Sequence, residues 1–307
     1  MHLNTITKSD SGFVNFKVLD GKPVLDDLWF MVGSRCNLSC KHCYVDSSPT
    51  NDTLEQIGIE DIRPYLLEGK KFGVSNIYFT GGEPFINKDI IKMIYESLKI
   101  ADVTILTNAT FPIAQYVDDL KRLNEITKKE LKFRVSVDHY DKDLHDEIRG
   151  LGMFNVTMKN IKKLSSAGFI PIITTTAYVY ENNKKTTDEI NNNFKELFSD
   201  LGINISLKIL PYNLEQGANL KRIKKSSDKV NITTNCMTQV KESDFQCHNG
   251  RTLQKIDGKM KIYPCPIIYN DKKHEMGTNL KKSFDKVYLT HKSCYDFCYR
   301  SGGSCTN

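Results

Sequence analysis

The 307-residue sequence has no apolar run approaching the length of a membrane span, and its first residues, MHLNTITKSDSG, are too polar for a signal peptide. A secreted or membrane-anchored protein is therefore not expected, and the chain reads as cytoplasmic. It also lacks the even cysteine count of a disulfide framework. Nine cysteines without a secretory signal point to metal or redox use. A basic stripe interleaved with aromatics is missing as well. The net charge is +6, but the lysines are scattered and the longest basic cluster, KRIKK at 221–225, is short, which suits a solvated face and excludes a nucleic-acid surface. An anionic substrate or acidic peptide stays compatible with that charge. With 39% hydrophobic and 26% charged residues, the composition fits a globular protein of one large domain plus an extension.

What the sequence does have is RCNLSCKHCYVDSSP at 35–49, which sets Cys36, Cys40 and Cys43 in one loop after the apolar run at 28–32. Three thiolates at C-x3-C-x2-C spacing can converge on one iron–sulfur cube and leave one iron without a protein ligand. Zinc is the alternative, since His42 lies between the second and third cysteines. Zinc sites usually close their shell with two short pairs, and no fourth ligand follows here.

Short β-type runs near 28–32, 76–80, 103–107, 131–138, 169–180 and 203–210 alternate with helical patterns near 57–72, 88–99, 112–127, 154–167 and 185–200. This order predicts an α/β fold with parallel strands and outer helices, closing as a partial (β/α)6 barrel. Ligands in such folds sit at the carboxyl ends of the strands. There the sequence places TGGEP at 80–84, whose Gly81 and Gly82 permit close approach and whose Glu83 adds a carboxylate. Thr107 and Asn108 end the third strand. Ser136 and Asp138 share a face of the fourth, followed by His139. A tight turn before a helix, and polar helix caps, are the plain alternatives for these two stretches. His139, His145, His274 and His291 read as surface or core residues, with only His139 placed to reach a pocket. Tyr178, Tyr180, Tyr212 and Glu215 are candidate pocket liners that nothing ranks.

The triplet together with TGGEP resembles the radical S-adenosylmethionine (SAM) superfamily. The resemblance implies a [4Fe-4S] cluster on Cys36, Cys40 and Cys43, with the SAM amino and carboxylate groups on the free iron. An external one-electron donor such as flavodoxin or ferredoxin would reduce it, and SAM cleavage would give a 5′-deoxyadenosyl radical. His42 stands at the family's aromatic position. By the same resemblance Gly81, Gly82 and Glu83 meet the SAM amino group, Thr107 and Asn108 lie at the SAM site, and Ser136 and Asp138 meet the ribose or carboxylate. The block HDEIRG at 145–150 carries Arg149 over as a partner of the SAM carboxylate. PYNLEQGAN at 211–219 puts Gly217 and Ala218 near the adenine edge.

Three segments are expected: a lead-in at 1–27 with a hairpin turn at Asp20-Gly21, a barrel at 28–231 and a cysteine-rich extension at 232–307. In the last, Cys247 precedes and Cys265 follows a hairpin turning at Asp257-Gly258, then come a helix near 281–290 and Cys294-x3-Cys298-x6-Cys305. This order resembles the SPASM/twitch extensions of radical SAM enzymes, although a full SPASM domain has seven cysteines. It implies one auxiliary [4Fe-4S] cluster on Cys247, Cys265, Cys294 and Cys298, with Cys305 able to replace one of them and Cys236 free. A second, incompletely ligated cluster and a structural zinc ribbon are the alternatives. The implied function is hydrogen abstraction from a small-molecule substrate within a two-electron oxidation. Modification of a ribosomal peptide is the alternative, disfavoured by a lead-in too small to recognise a leader peptide; a non-catalytic iron–sulfur or zinc scaffold is the distant one.

Overall fold

The structure is a computed structural model that describes residues 10–177, 179–180, 185–210, 216–218 and 232–306. The first strand, β1 (Phe13–Val14), is followed by a small hairpin, β2 (Val18–Leu19) and β3 (Lys22–Pro23). Its turn residues Asp20 and Gly21 both take positive φ, 51° and 73°, as the twist of a two-residue hairpin demands.

Six strands then alternate with helices. They are β4 (Asp27–Met31), β5 (Asn76–Thr80), β6 (Asp102–Thr107), β7 (Leu131–Ser136), β8 (Ile172–Thr176) and β9 (Ser206–Leu210). The helices are α1 (Ile59–Lys71), α2 (Ile90–Leu98), α3 (Val117–Ile126), α4 (Lys142–Arg149), α5 (Met153–Ser166) and α6 (Thr187–Asp200). All six strands pair in parallel and in chain order, the expected partial barrel. Alternation sorts the side chains. Leu28, Phe30, Ile77, Phe79, Val103, Ile105, Phe133, Val135 and Ile173 pack under the helices in one apolar core. Trp29, Tyr78, Leu106, Arg134, Thr174 and Lys208 occupy the alternate positions and face the lumen.

The second hairpin, β10 (Gly250–Ile256) and β11 (Lys259–Tyr263), continues this sheet. β10 pairs in parallel with β4, so the strand order is β11-β10-β4-β5-β6-β7-β8-β9. The last strand, β12 (Val287–Tyr288), returns to pair with β1. The helix expected near 281–290 is only a 3-10 turn, Lys281–Ser283. Its carbonyls are claimed from the side: the buried Arg251 guanidinium donates to the main-chain oxygens of Ser283 at 2.9 Å and Asp285 at 3.1 Å. Helical structure resumes as a wide turn over Cys294–Tyr299.

Asp27 opens β4 almost fully buried, accepting from Gln246 Nε2 at 3.0 Å and Asn76 Nδ2 at 3.2 Å. Burial raises its pKa to about 6 despite these donors. Because the folded pKa lies above the unfolded one, its contribution is fully present below pH ~4 and is lost as pH rises through about 6. Asp27→Asn is expected to flatten that part of the pH profile, read as the difference in thermal midpoint between variant and wild type at pH 4.5 and pH 7.

Candidate functional site

The carboxyl ends of the strands converge on one cavity lined by Cys36, Cys40 and Cys43, by Gly81 and Gly82, by Thr107 and Asn108, and by Ser136, Asp138 and Arg149. The cysteine loop is held by its neighbours on both sides. Cys36 N–H donates to Ser48 O at 3.0 Å, Lys41 N–H to Ile148 O at 3.0 Å, and Cys43 N–H to Cys40 O at 3.2 Å. Every sulfur of the triplet also has an N–H aimed at it. Leu38 N lies 3.4 Å and Asn108 Nδ2 3.7 Å from Cys36 Sγ, Arg149 Nη1 3.9 Å from Cys40 Sγ, and Ser47 N 3.3 Å from Cys43 Sγ. Such donors stabilise thiolate charge and tune an iron–sulfur centre. Burial pushes the Cys36 thiol up to about 12 and Cys40 up to about 11, the latter opposed by Arg149. Thiolates there need compensating positive charge, which a bound metal centre would supply.

TGGEP is sewn to the start of this loop. Gly82 N–H donates to Gly33 O at 2.8 Å and Glu83 N–H to Arg35 O at 3.1 Å. A Cβ on Gly82 would stand 1.8 Å from Arg35 O, and one on Gly81, with φ +123°, 2.5 Å from Gly33 O. The close approach that requires glycine is therefore made by the chain's own backbone. Gly82→Ala is expected to push the cysteine loop out of register, giving protein that holds markedly less iron than wild type after the same reconstitution.

Glu83 is buried and does not line the cavity, unlike the expectation. Its carboxylate accepts from Phe85 N at 3.1 Å, Thr107 Oγ1 at 2.8 Å and Asn108 N at 2.8 Å, clasping the ends of β5 and β6 together. Asn108 in turn donates to Asn37 Oδ1 at 3.0 Å. Thr107 and Asn108 thus do line the cavity, with their polar atoms engaged in holding the Glu83 clasp and the Cys36 end of the loop.

Arg149 reaches the cavity through the local chemistry of the HDEIRG block. Asp141 caps α4, accepting from Asp143 N at 2.9 Å and Leu144 N at 3.0 Å. Asp146 then caps α5, accepting from Gly152 N and Phe154 N, both at 2.7 Å. Gly150 and Gly152 take positive φ to reverse the chain between the two helices. Arg149 is left at the end of α4, but its edge is not free for a bidentate carboxylate from outside. Nε lies 2.5 Å from Asp138 Oδ2 and Nη2 3.3 Å from Oδ1, while His42 Nε2 lies 2.8 Å from the same Oδ1. A buried carboxylate needs a buried cation, and Asp138 has claimed the one its own turn supplies. Burial alone would raise the Asp138 carboxyl; Arg149 and His42 hold it far below the usual range. Arg149→Met, which strands that charge, is expected to cost about 3–5 kcal/mol of stability. Adding Asp138→Asn should recover part of this loss, a double-mutant cycle read by chemical denaturation.

Gly217 and Ala218 pack behind the cysteine loop and do not line the cavity. Ala218 N–H donates to Cys43 O at 2.9 Å, and a Cβ on Gly217 would meet Tyr44 O at 2.4 Å. His139 also misses the pocket: it is buried between Tyr140 and Tyr180, ring centroids 4.2 and 4.7 Å away. Tyr180 is turned inward, its hydroxyl donating to Asp138 O at 3.0 Å. Tyr178, Tyr212, Glu215 and the KRIKK cluster lie outside the described residues.

A second, apolar cavity is lined by Cys247, Cys265, Cys294 and Cys298 together. Cys247 stands before β10 and Cys265 after β11, so the hairpin brings both to one end, and the wide turn at Cys294–Tyr299 supplies the other two. Among the described residues no three Cys, His, Asp or Glu side chains close around a single metal ion, here or at the Cys36, Cys40 and Cys43 triplet. Cys305 lines the first cavity and packs with Cys265 and Cys298 in one cluster beside Ile267 and Phe297, so it stands between the two sites; Cys236 lines neither cavity, its sulfur 3.3 Å from Thr233 Oγ1.

Residues 30–193 match the family model described as "Radical SAM superfamily", more than half of the chain. The chain belongs to the radical SAM superfamily. Its relatives include the antilisterial bacteriocin subtilosin biosynthesis protein AlbA of Bacillus subtilis, 33% identical over 141 residues, which covers 45% of this chain and 30% of AlbA. GTP 3',8-cyclase of Clostridium botulinum is 32% identical over 166 residues, 52% of this chain and 50% of the cyclase. The chain thus spans about a third to a half of the length of these relatives. The crystal structure of Streptococcus suis SuiB bound to precursor peptide SuiA shares the fold at TM-score 0.57 and 16% identity, covering 85% of this chain and 65% of SuiB.

Sequence reasoning missed several residues of this radical SAM cavity: Trp29, Tyr44, Arg134, Thr174, Ile267 and Phe297. For Arg134 the signal was available. It sits two residues before Ser136 on the same strand face, between the apolar Phe133 and Val135.

Proposed function

We propose that the protein is a radical SAM oxidoreductase acting on a small molecule, with an auxiliary [4Fe-4S] cluster on Cys247, Cys265, Cys294 and Cys298. When bound, the clusters and SAM supply a deoxyadenosyl radical and a place for one substrate electron. The chain's part is positioning. Cys36, Cys40 and Cys43 would hold the SAM cluster, with Gly81, Gly82, Ser136 and the His42–Asp138–Arg149 group around SAM.

One observation carries the oxidative reading: Ile267 lines both the barrel cavity and the four-cysteine cavity, so the two are adjacent. Pro266, Ile267, Phe297 and Cys305 line the barrel cavity from the side of the extension. Tyr44 and Gln216 fasten this wall, their side chains donating to Pro266 O at 3.4 Å and Ile267 O at 2.7 Å. Walls drawn from both the barrel and the extension suit a compact substrate held between the two sites. Peptide modification is the second reading, favoured by the similarity to AlbA, whose name places it in bacteriocin biosynthesis. The deciding experiment is iron and sulfide analysis with electron paramagnetic resonance on anaerobically reconstituted protein, with and without SAM. About eight irons and a SAM-perturbed signal support two clusters; about four irons would remove the auxiliary one and the oxidative reading with it.

A further inference from the structure

Arg134 on β7 is 3% exposed and lines the barrel cavity. Among the described residues no carboxylate pairs with it. Its guanidinium donates to the Cys305 carbonyl, and its Nε lies 3.5 Å from the Thr174 hydroxyl. Lys208 on β9 stands directly opposite Thr174 in register and donates to the Thr306 carbonyl, again without a described carboxylate. Arg134 in the cavity wall and Lys208 on the neighbouring strand are thus held, among the described residues, by neutral main-chain and hydroxyl oxygens. Burial pushes Lys208 down to about 8, and Arg134 beside it adds to that fall. The contrast with Arg149, matched by Asp138 in the same cavity, is direct.

A second observation comes from another wall of the lumen. Trp29 is 1% exposed, stacks on Tyr78 at 4.0 Å and lines the cavity, yet its Nε1–H has no acceptor. A buried donor left without an acceptor is destabilising, and one that lines a cavity is explained where a ligand completes the bond. Cations without counter-charge and a donor without an acceptor share one need: an anionic oxygen.

We propose that this part of the lumen is the subsite for an anionic group of the substrate, a carboxylate or a phosphate, which binds Arg134 and Lys208 in place of the Cys305 and Thr306 carbonyls. The inference rests on the barrel cavity being the active site. It narrows the substrate class to anionic small molecules or an acidic end of a larger one.

Trp29 is the chain's single tryptophan and makes the subsite its own reporter. Its emission, corrected for cluster absorbance, is followed in anaerobically reconstituted protein with SAM while inorganic phosphate, and separately succinate, is added at ionic strength held constant with KCl. A saturable change is expected with at least one probe, and the stronger of the two identifies the anion type. Arg134→Gln should weaken that binding by about tenfold or more, with Arg134→Lys recovering part. Lys208→Gln gives an independent, smaller loss should Arg134→Gln fail to fold. No saturable change with either probe, or equal binding in wild type and both Gln variants, would overturn the subsite. Deoxyadenosine formation in the same samples separates the two readings: its presence without anion binding removes only the subsite, and its absence with anion binding intact removes only the radical function.

Discussion

Cys40→Ala is expected to leave no detectable 5′-deoxyadenosine after anaerobic reconstitution and reduction, while the protein still folds. Cys40 lies at the centre of the triplet and has the closest link to the Arg149–Asp138 group, with Arg149 Nη1 3.9 Å from its sulfur. Two thiolates cannot hold the corner of a cube that three hold, so iron at this site should fall with activity. The fold survives because the backbone bonds of the loop, Cys36 N to Ser48 O and Lys41 N to Ile148 O, do not pass through the Cys40 side chain. Deoxyadenosine formation undiminished in the variant would mean that SAM is not cleaved at this triplet.

The second large effect separates the two cavities. Cys265→Ala should lower iron from about eight to about four per chain, leave SAM cleavage in place and stop net oxidation of substrate. Cys265 is one of the four cysteines around the apolar cavity and stands two residues after β11, at the end of the hairpin. Burial raises its thiol above the ordinary value. Removing it takes away a ligand and leaves a small apolar gap, which the surrounding Ile267 and Ile268 tolerate better than an unmatched charge. Unchanged iron in Cys265→Ala would show that these cysteines hold no cluster.

The barrel was legible because its signals are local and periodic. Strands near 76–80 and 103–107, and the turn at Asp257-Gly258, declare themselves through alternation and turn chemistry within a few residues. The cysteine triplet was legible because ligand spacing is itself the information. What could not be read were partnerships across long sequence separations. Glu83 looked available until Thr107 and Asn108 claimed it, and Arg149 until Asp138 did. Cys305 carries the same side chain as Cys298, and only the path of the last residues decides which cavity it lines. The short helix near 281–290 failed for the same reason, since the competing donor, Arg251, lies some thirty residues earlier.

The pairing of β10 with β4 makes the cysteine-rich segment a terminator for the barrel sheet. Without it, β4 would present a row of open main-chain groups beside Leu28, Trp29, Phe30 and Met31, all buried in the intact protein, and would template pairing with another copy. With it, the outer strand is β11, which carries Lys259 and Lys261 and is partly covered by the main chain at Met276 and Gly277. Trimming the chain at the start of the extension is therefore a route to aggregates and not to a minimal SAM-cleaving core. The same hydrogen bonds fix the spacing between the two cysteine sites, so electron transfer between them would run at a distance set by sheet geometry, insensitive to any hinge.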